Sequence, residues 1–163
     1  PETRELTART LSLDSALFRY PYRVRVQDDK AVVLDLHGTE YFFHDVHYPG
    51  FHYLSSFGKR GDAPEEMLSA ENLRWNGNFL WTLDSNKSEL TRLGFASSGD
   101  SLLRLEAVSL DEELLGALDF VQYDDSTFII PDYSGDSRFC LVSRQGKLLH
   151  KIGTIPTLSL IHI

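Results

Sequence analysis

The chain has 163 residues, of which 42% are apolar, 12% aromatic and 25% charged. That composition excludes disorder, collagen and coiled coil, and suits one domain with a real core or a piece of a larger one. Sixteen Lys and Arg against 24 Asp and Glu give a net charge of −8, which repels phosphate backbones and excludes nucleic acid as the expected partner. Cys140 is the single cysteine, which leaves no internal disulfide and no thiolate cluster. It sits in the apolar run Phe139-Cys140-Leu141-Val142 and reads as a buried small hydrophobe. No apolar stretch approaches the ~20 residues that span a bilayer. No signal sequence is present, but the chain opens at Pro1 without an initiator methionine, so the compartment is not read from this.

Along the chain, residues 9–13 form a short strand-like run ahead of the first clear pair. Residues 22–26 (Tyr-Arg-Val-Arg-Val) alternate cleanly, and 31–34 (Ala-Val-Val-Leu) are a near-continuous β-branched run, so both read as strands. Two more are expected at 41–46 and 51–57. A second set follows at 73–75, 79–83, 89–95 and 102–108, and a third at 118–123, 127–130, 138–143 and 147–152. No apolar face persists at 3.6-residue spacing over three turns. The best helical candidates, 64–70 and 111–116, are too short to carry an architecture. The chain is all-β.

The sets repeat. Hairpin turns rich in Asp, Asn and Gly are centred at 28, 76 and 124, each 48 residues after the last. Such residues tolerate positive φ or bond their own backbone. Each second strand ends on an aspartate: Asp35, then Asp84 49 residues on, then Asp132 after another 48. Four short antiparallel strands per unit of about 48 residues mark a propeller blade. A sandwich does not need its strands to repeat in fours. The expected fold is a partial β-propeller of about three four-stranded antiparallel blades plus one leading outer strand. Residues 1–8 are an N-terminal end, 9–21 the outer strand of a preceding blade, and 22–71, 72–117 and 118–156 the blades. Three blades cannot close a ring on themselves, so this chain is about half a propeller. Residues 157–163 fall outside the repeat. Their sequence resembles a reading-frame translation of a transposon end used in shotgun library preparation, so the tail is expected to be non-native.

Residues 54–66, Leu-Ser-Ser-Phe-Gly-Lys-Arg-Gly-Asp-Ala-Pro-Glu-Glu, resemble the blade junction of six-bladed propellers of the TolB-like and NHL-repeat type. There an outer strand ends in Phe-Gly, followed by a basic glycine-containing loop and a Pro-Glu step. The third unit closes with a reduced form at 151–156 (Lys-Ile-Gly-Thr-Ile-Pro), whereas the second runs Val108-Ser109-Leu110-Asp111 with no glycine. The likeness is greatest to TolB-like propellers of Bacteroides-like cell-envelope proteins. It implies a periplasmic or cell-envelope location in a family whose members are mostly of unassigned function.

Candidate chemistry is sparse. His44, His47 and His52 lie near Asp45, a donor set zinc accepts, but strand positions 44 and 47 point to opposite faces, so no metal site is expected. They read as histidines of an outer strand and its hairpin. Arg60-Gly61-Asp62 spells a recognition tripeptide without confirming context and is set aside. No nucleophile elbow, phosphate-cradling loop or His-Glu-x-x-His is present, so no catalytic residue and no cofactor are assigned. The repeated aspartates read as turn-forming groups, because a feature needed in every blade serves the fold.

Strand order places the loops after the second and fourth strands of every blade at one end. That end collects Asp35, His37, Glu40, Lys59, Arg60, Asp84, Asn86, Lys87, Asp132 and Asp136 as an expected ligand face. The first strands carry Arg23, Arg25, Arg74 and Trp75 as expected channel-lining residues, which suit an anionic or aromatic ligand. The leading functional expectation is a non-catalytic binding or scaffold propeller of the bacterial envelope, with a protein, peptide or glycan ligand. One alternative is an enzyme similar to NHL-type lyases or lactone hydrolases with a channel metal. Another is a structural half-propeller that pairs with a partner chain through its open blade edges. Open apolar blade faces also predict that the chain self-associates.

Overall fold

The computed structural model describes residues 3–11, 16–99 and 101–154. Among them, twelve strands form three four-stranded antiparallel meanders, each in simple chain order. Blade 1 holds β1 (Pro21–Gln27), β2 (Lys30–Asp35), β3 (Tyr41–His47) and β4 (His52–Lys59). Blade 2 holds β5 (Asn72–Asn76), β6 (Phe79–Asp84), β7 (Glu89–Phe95) and β8 (Leu102–Ser109). Blade 3 holds β9 (Val121–Gln122), β10 (Thr127–Pro131), β11 (Ser137–Ser143) and β12 (Leu148–Thr154).

The hairpins form where the sequence supplies turn chemistry. Asp28 takes a φ of +52° in the first turn and Gly77 a φ of +54° in the second. The third turn works differently: Asp124 Oδ1 accepts from the Ser126 amide and the Thr127 hydroxyl, both at 2.8 Å.

The blades stack face to face, which is why the middle strands are apolar on both sides. Between blades 1 and 2, Val32, Leu34 and Phe43 meet Leu73, Leu80 and Leu93. Between blades 2 and 3, Trp81, Leu83, Leu90 and Val108 meet Phe120, Phe128, Ile130 and Val142. Trp81 stands edge-on to Phe128 with ring centroids 5.0 Å apart. Each such side chain contributes ~1.5–3 kcal/mol by leaving water, so these two interfaces are the main source of stability. The outward sides of the end blades are partly uncovered: Tyr22, Val24 and Val26 are about half exposed on blade 1, and Val121, Phe139 and Leu149 on blade 3.

Three expectations need correction. Residues 9–11 of the leading outer strand are exposed and unpaired, residues 12–15 lie outside the described residues, and 16–20 form no strand. A strand persists only where a neighbour takes its hydrogen bonds, and no described segment pairs with this one. The first strand of blade 3, expected over 118–123, shrinks to Val121–Gln122. The register that pairs Val121 with Ile129 puts Asp119 opposite Pro131, which has no N–H to donate to the ladder. Neither helical candidate forms a helix: 64–70 is turn and loop, and 111–116 holds one 3-10 turn at Glu112–Leu114. The tail at 157–163 lies outside the described residues.

The Phe-Gly junction has a local cause. Gly58 adopts a φ of +66°, and a Cβ there would come within 2.6 Å of the Phe43 ring. Gly153 occupies the matching place in blade 3 at +72°. Blade 2 ends its fourth strand on Ser109 without this kink.

Candidate functional site

The repeated aspartates fasten the connections between blades. Asp35 is fully buried, and its carboxylate accepts the backbone amides of Arg19 at 2.7 Å and Tyr20 at 2.6 Å. Asp84 is equally buried and accepts the Leu68 amide at 2.8 Å, the Ser69 hydroxyl at 3.0 Å and the Lys87 amide at 3.0 Å. Each carboxylate reaches back 15 and 16 residues, so the segment entering a blade is tied to the end of that blade's second strand. Asp132 departs from this. It holds its own loop through the amides of Ser134 at 2.9 Å and Ser137 at 3.0 Å. The Ser134 hydroxyl, chiefly, keeps the Asp132 carboxyl below the usual range.

The remaining loop-end residues are largely engaged with one another. Lys59 bonds Glu66 at 2.7 Å, which raises the lysine and lowers the glutamate. Lys87 Nζ donates to the carbonyls of Ala63 at 2.7 Å and of Glu66. Arg60 donates to the Gly38 carbonyl at 3.3 Å and lies 5.6 Å from the centroid of the Phe42 ring. Lys151 reaches Asp136 at 3.3 Å. The Asn86 amide donates to the Ser69 hydroxyl at 3.2 Å. Glu40 accepts the Arg60 amide on its backbone carbonyl at 2.8 Å, and the exposed His37 ring sits 5.4 Å from Tyr20.

The first strands gather a different group. Arg25 Nε donates to the Leu73 carbonyl of blade 2 at 3.2 Å, and the Trp75 indole donates back to the Arg25 carbonyl at 3.4 Å. Trp75 also stacks on Phe95 at 5.9 Å. Arg74 forms a two-oxygen pair with Asp119 of blade 3 at 2.8 and 2.9 Å, and Asn72 donates to the same carboxylate. Arg23 lies against the Tyr22 ring. Burial, then the guanidiniums of Arg23 and Arg74, push Arg25 below its ordinary value, while Asp119 opposes them. Arg25, Arg74 and Trp75 line a cavity of about 370 Å³ that Phe120 and Gln122 complete.

Sequence reasoning missed the cluster beside it. Glu106 on β8 is shared by Arg144 (Nη2 at 2.7 Å, Nε at 3.0 Å) and Arg92 (Nε at 3.0 Å). The Arg144 bond, chiefly, holds the Glu106 carboxyl low. Arg144 covers Trp81 at 4.6 Å and Arg92 covers Phe79 at 4.7 Å. These residues are dispersed over three strands and a turn, so no local motif announces them. Their charges and aromatics were visible only singly.

His44 also differs from its expected place. It is buried on β3 rather than set on an outer strand, on the side of blade 1 that Phe18 covers. Its Nδ1 meets Ser56 Oγ at 2.8 Å, and Phe18 packs edge-on at 4.9 Å. Burial pushes the imidazole below its ordinary value, against a smaller opposing effect of Asp35. His47 and His52 pair across the exposed hairpin, away from His44. Among the described residues, no three His, Cys, Asp or Glu side chains converge in a metal-binding arrangement.

Blades of four antiparallel strands, stacked face to face with a repeated carboxylate tie, define a β-propeller architecture. The sequence matches the TolB-like 6-blade propeller-like family over residues 2–160, and the chain belongs to that family. A candidate exported protein from Bacteroides fragilis NCTC 9343 is similar in structure, with a TM-score of 0.67 and 12% identity. That likeness covers 90% of this chain and 41% of the other. A protein of unknown function from Desulfotomaculum acetoxidans DSM 771 is similar with a TM-score of 0.58 and 13% identity, over 84% of this chain and 44% of the other. At such identities the likeness is one of fold, and the chain spans about two fifths of the length of these structures. No curated protein matches the sequence. Among the described residues, no helix is long and apolar enough to cross a membrane.

Proposed function

We infer that this chain is the blade-bearing part of a non-catalytic binding or scaffold propeller, in a protein exported to the bacterial envelope. The carrying observation is the imbalance along the first strands: Arg25 and Arg74 line one cavity, and the carboxylate beside them, Asp119, is taken by Arg74. Arginines so placed keep donors for an anionic group on a ligand, and Trp75 adds an aromatic wall. The loop end is the weaker location, because Lys59, Arg60 and Lys87 spend their donors on fastening loops. The similarity to a candidate exported protein supports the compartment.

The test is a screen of glycans and peptides against the full-length protein, followed by charge reversal. Arg25→Glu is expected to weaken binding at least tenfold, while Lys59→Glu with Arg60→Glu leaves it unchanged. The opposite pattern would move the site to the loop end. Stoichiometric bound metal together with turnover of a lactone would replace this reading with the enzymatic one.

A further inference from the structure

The charges beside the 370 Å³ cavity at the first strands do not balance. Asp119 is fully committed: it accepts from the Asn72 side chain, from Arg74 on both oxygens, and from the Phe120 N–H at 2.8 Å. Arg25 bonds the Leu73 carbonyl through Nε, which leaves its two terminal nitrogens without a partner among the described residues. The charge of Arg74 is matched, and that of Arg25 is not. Burial, then the neighbouring Arg23 and Arg74, disfavour the Arg25 cation, and an anion at its free nitrogens offsets both effects. A single negative charge fits. A second would find no further unmatched cation lining the cavity, in a chain whose net charge is −8.

The rest of the wall is apolar or already satisfied. Val26, Trp75, Trp81, Phe120 and Val121 line it. The amide side chains of Asn76 and Gln122 bond each other, Gln122 also donates to the Asp124 carbonyl, and the Trp75 indole N–H goes to Arg25. Little is left for the hydroxyls of a sugar. A guanidinium fork beside aromatic walls suits a carboxylate next to a flat ring. The volume is near the low end of the ~300–1,000 Å³ of small-ligand sites, room for one ring-bearing unit.

The same edge offers main-chain groups. β5 is the first strand of its sheet and pairs on one side only. The Leu73 N–H and C=O are taken by the side chains of Asn72 and Arg25, so they point away from β6. Ladder directions alternate along a strand, so the N–H and C=O of Trp75, two residues on, point the same way. A peptide matches such an open edge with its own backbone, which a free organic acid lacks.

We propose that this cavity binds the C-terminus of a peptide that ends in an aromatic residue, with the terminal carboxylate on Arg25 and the ring against the aromatic wall. This rests on the binding-domain reading above and names the ligand.

The test is calorimetric titration of the full-length protein with N-acetyl-Gly-Gly-Phe. The controls are the same peptide as its C-terminal amide, N-acetyl-Gly-Gly-Gly, and 3-phenylpropionate. Binding of the first with at least tenfold preference over each control is expected. Arg25→Gln should remove the preference for acid over amide, a change that a general loss of fold does not produce. Val121→Glu, on an exposed residue that leaves Arg25 and its bond intact, should weaken the acid at least tenfold. Equal binding of the amide or of the glycine peptide, or indifference to both substitutions, would overturn the proposal. Equal binding of 3-phenylpropionate would also overturn it, in favour of a free aromatic acid. Failure of N-acetyl-Gly-Gly-Phe to bind, alongside Arg25-dependent binding of another ligand from the screen, would overturn the ligand and leave the binding-domain reading standing.

Discussion

Replacing Asp84 with alanine should be among the most damaging single changes available at the loop end. Its carboxylate is 1% exposed and satisfies three donors: the Leu68 amide, the Lys87 amide and the Ser69 hydroxyl. A buried donor stripped of its acceptor costs about 1–3 kcal/mol. Leu68 is exposed and Ser69 and Lys87 are half-buried, so these donors turn partly to water and the expected loss is about 3 kcal/mol rather than the full sum. Against a domain stability of roughly 5–15 kcal/mol that is a large fraction. Asp84→Asn keeps one acceptor oxygen but sets an NH₂ group against an amide, and should cost about 1–2 kcal/mol. Asp136→Ala, on an exposed loop, should stay within about 0.5 kcal/mol. Urea denaturation of the three variants and the parent, with the slope m checked for constancy, gives the order directly. An Asp84→Ala midpoint indistinguishable from that of Asp136→Ala would refute the carboxylate tie.

His44 makes stability pH-dependent. Its folded-state pKa lies below the ordinary 6.5, so the unfolded chain binds the extra proton first. Stability is therefore fully present above about pH 6.5 and falls as pH drops below it. Denaturation at pH 7.5 and 5.5 should show a smaller loss in His44→Leu than in the parent, and equal losses would sink the assignment. The uncovered blade faces should drive association of the 163-residue chain, and Val24→Glu with Phe139→Glu should shift it toward monomer in sedimentation velocity. A monodisperse parent monomer would contradict this. Cys140 is buried and its thiol is pushed up by burial, so a thiol reagent should modify it at the rate of opening rather than at the rate of a free thiol.

Most of the fold was legible because blade strands announce themselves locally. Residues 22–26 and 89–95 alternate, and the aspartates keep a fixed period, so strand order and the three sheets follow from patterns a few residues long. The first strand of blade 3 was overestimated because its length is set by Pro131 on the neighbouring strand, which a reading of 118–123 alone does not include. The site was less legible for the same reason. Arg25 and Arg74 could be placed on first strands, but their surplus over carboxylate depends on Asp119 being captured across the blade interface. The Glu106 cluster depends on Arg92 and Arg144, which are 52 residues apart and meet only when blades 2 and 3 stack. Conversely, Lys59 and Lys87 stood out as free cations in the sequence, and folding gives them partners within a loop.

The arginine-lined edge is tested most directly by mapping arginine modification with phenylglyoxal in the full-length protein, by mass spectrometry, with and without the ligand found by screening. Protection of Arg25 and Arg74, with Arg60 modified equally in both samples, is the expected result. Protection of Arg60 alone, with Arg25 and Arg74 unaffected, would contradict it.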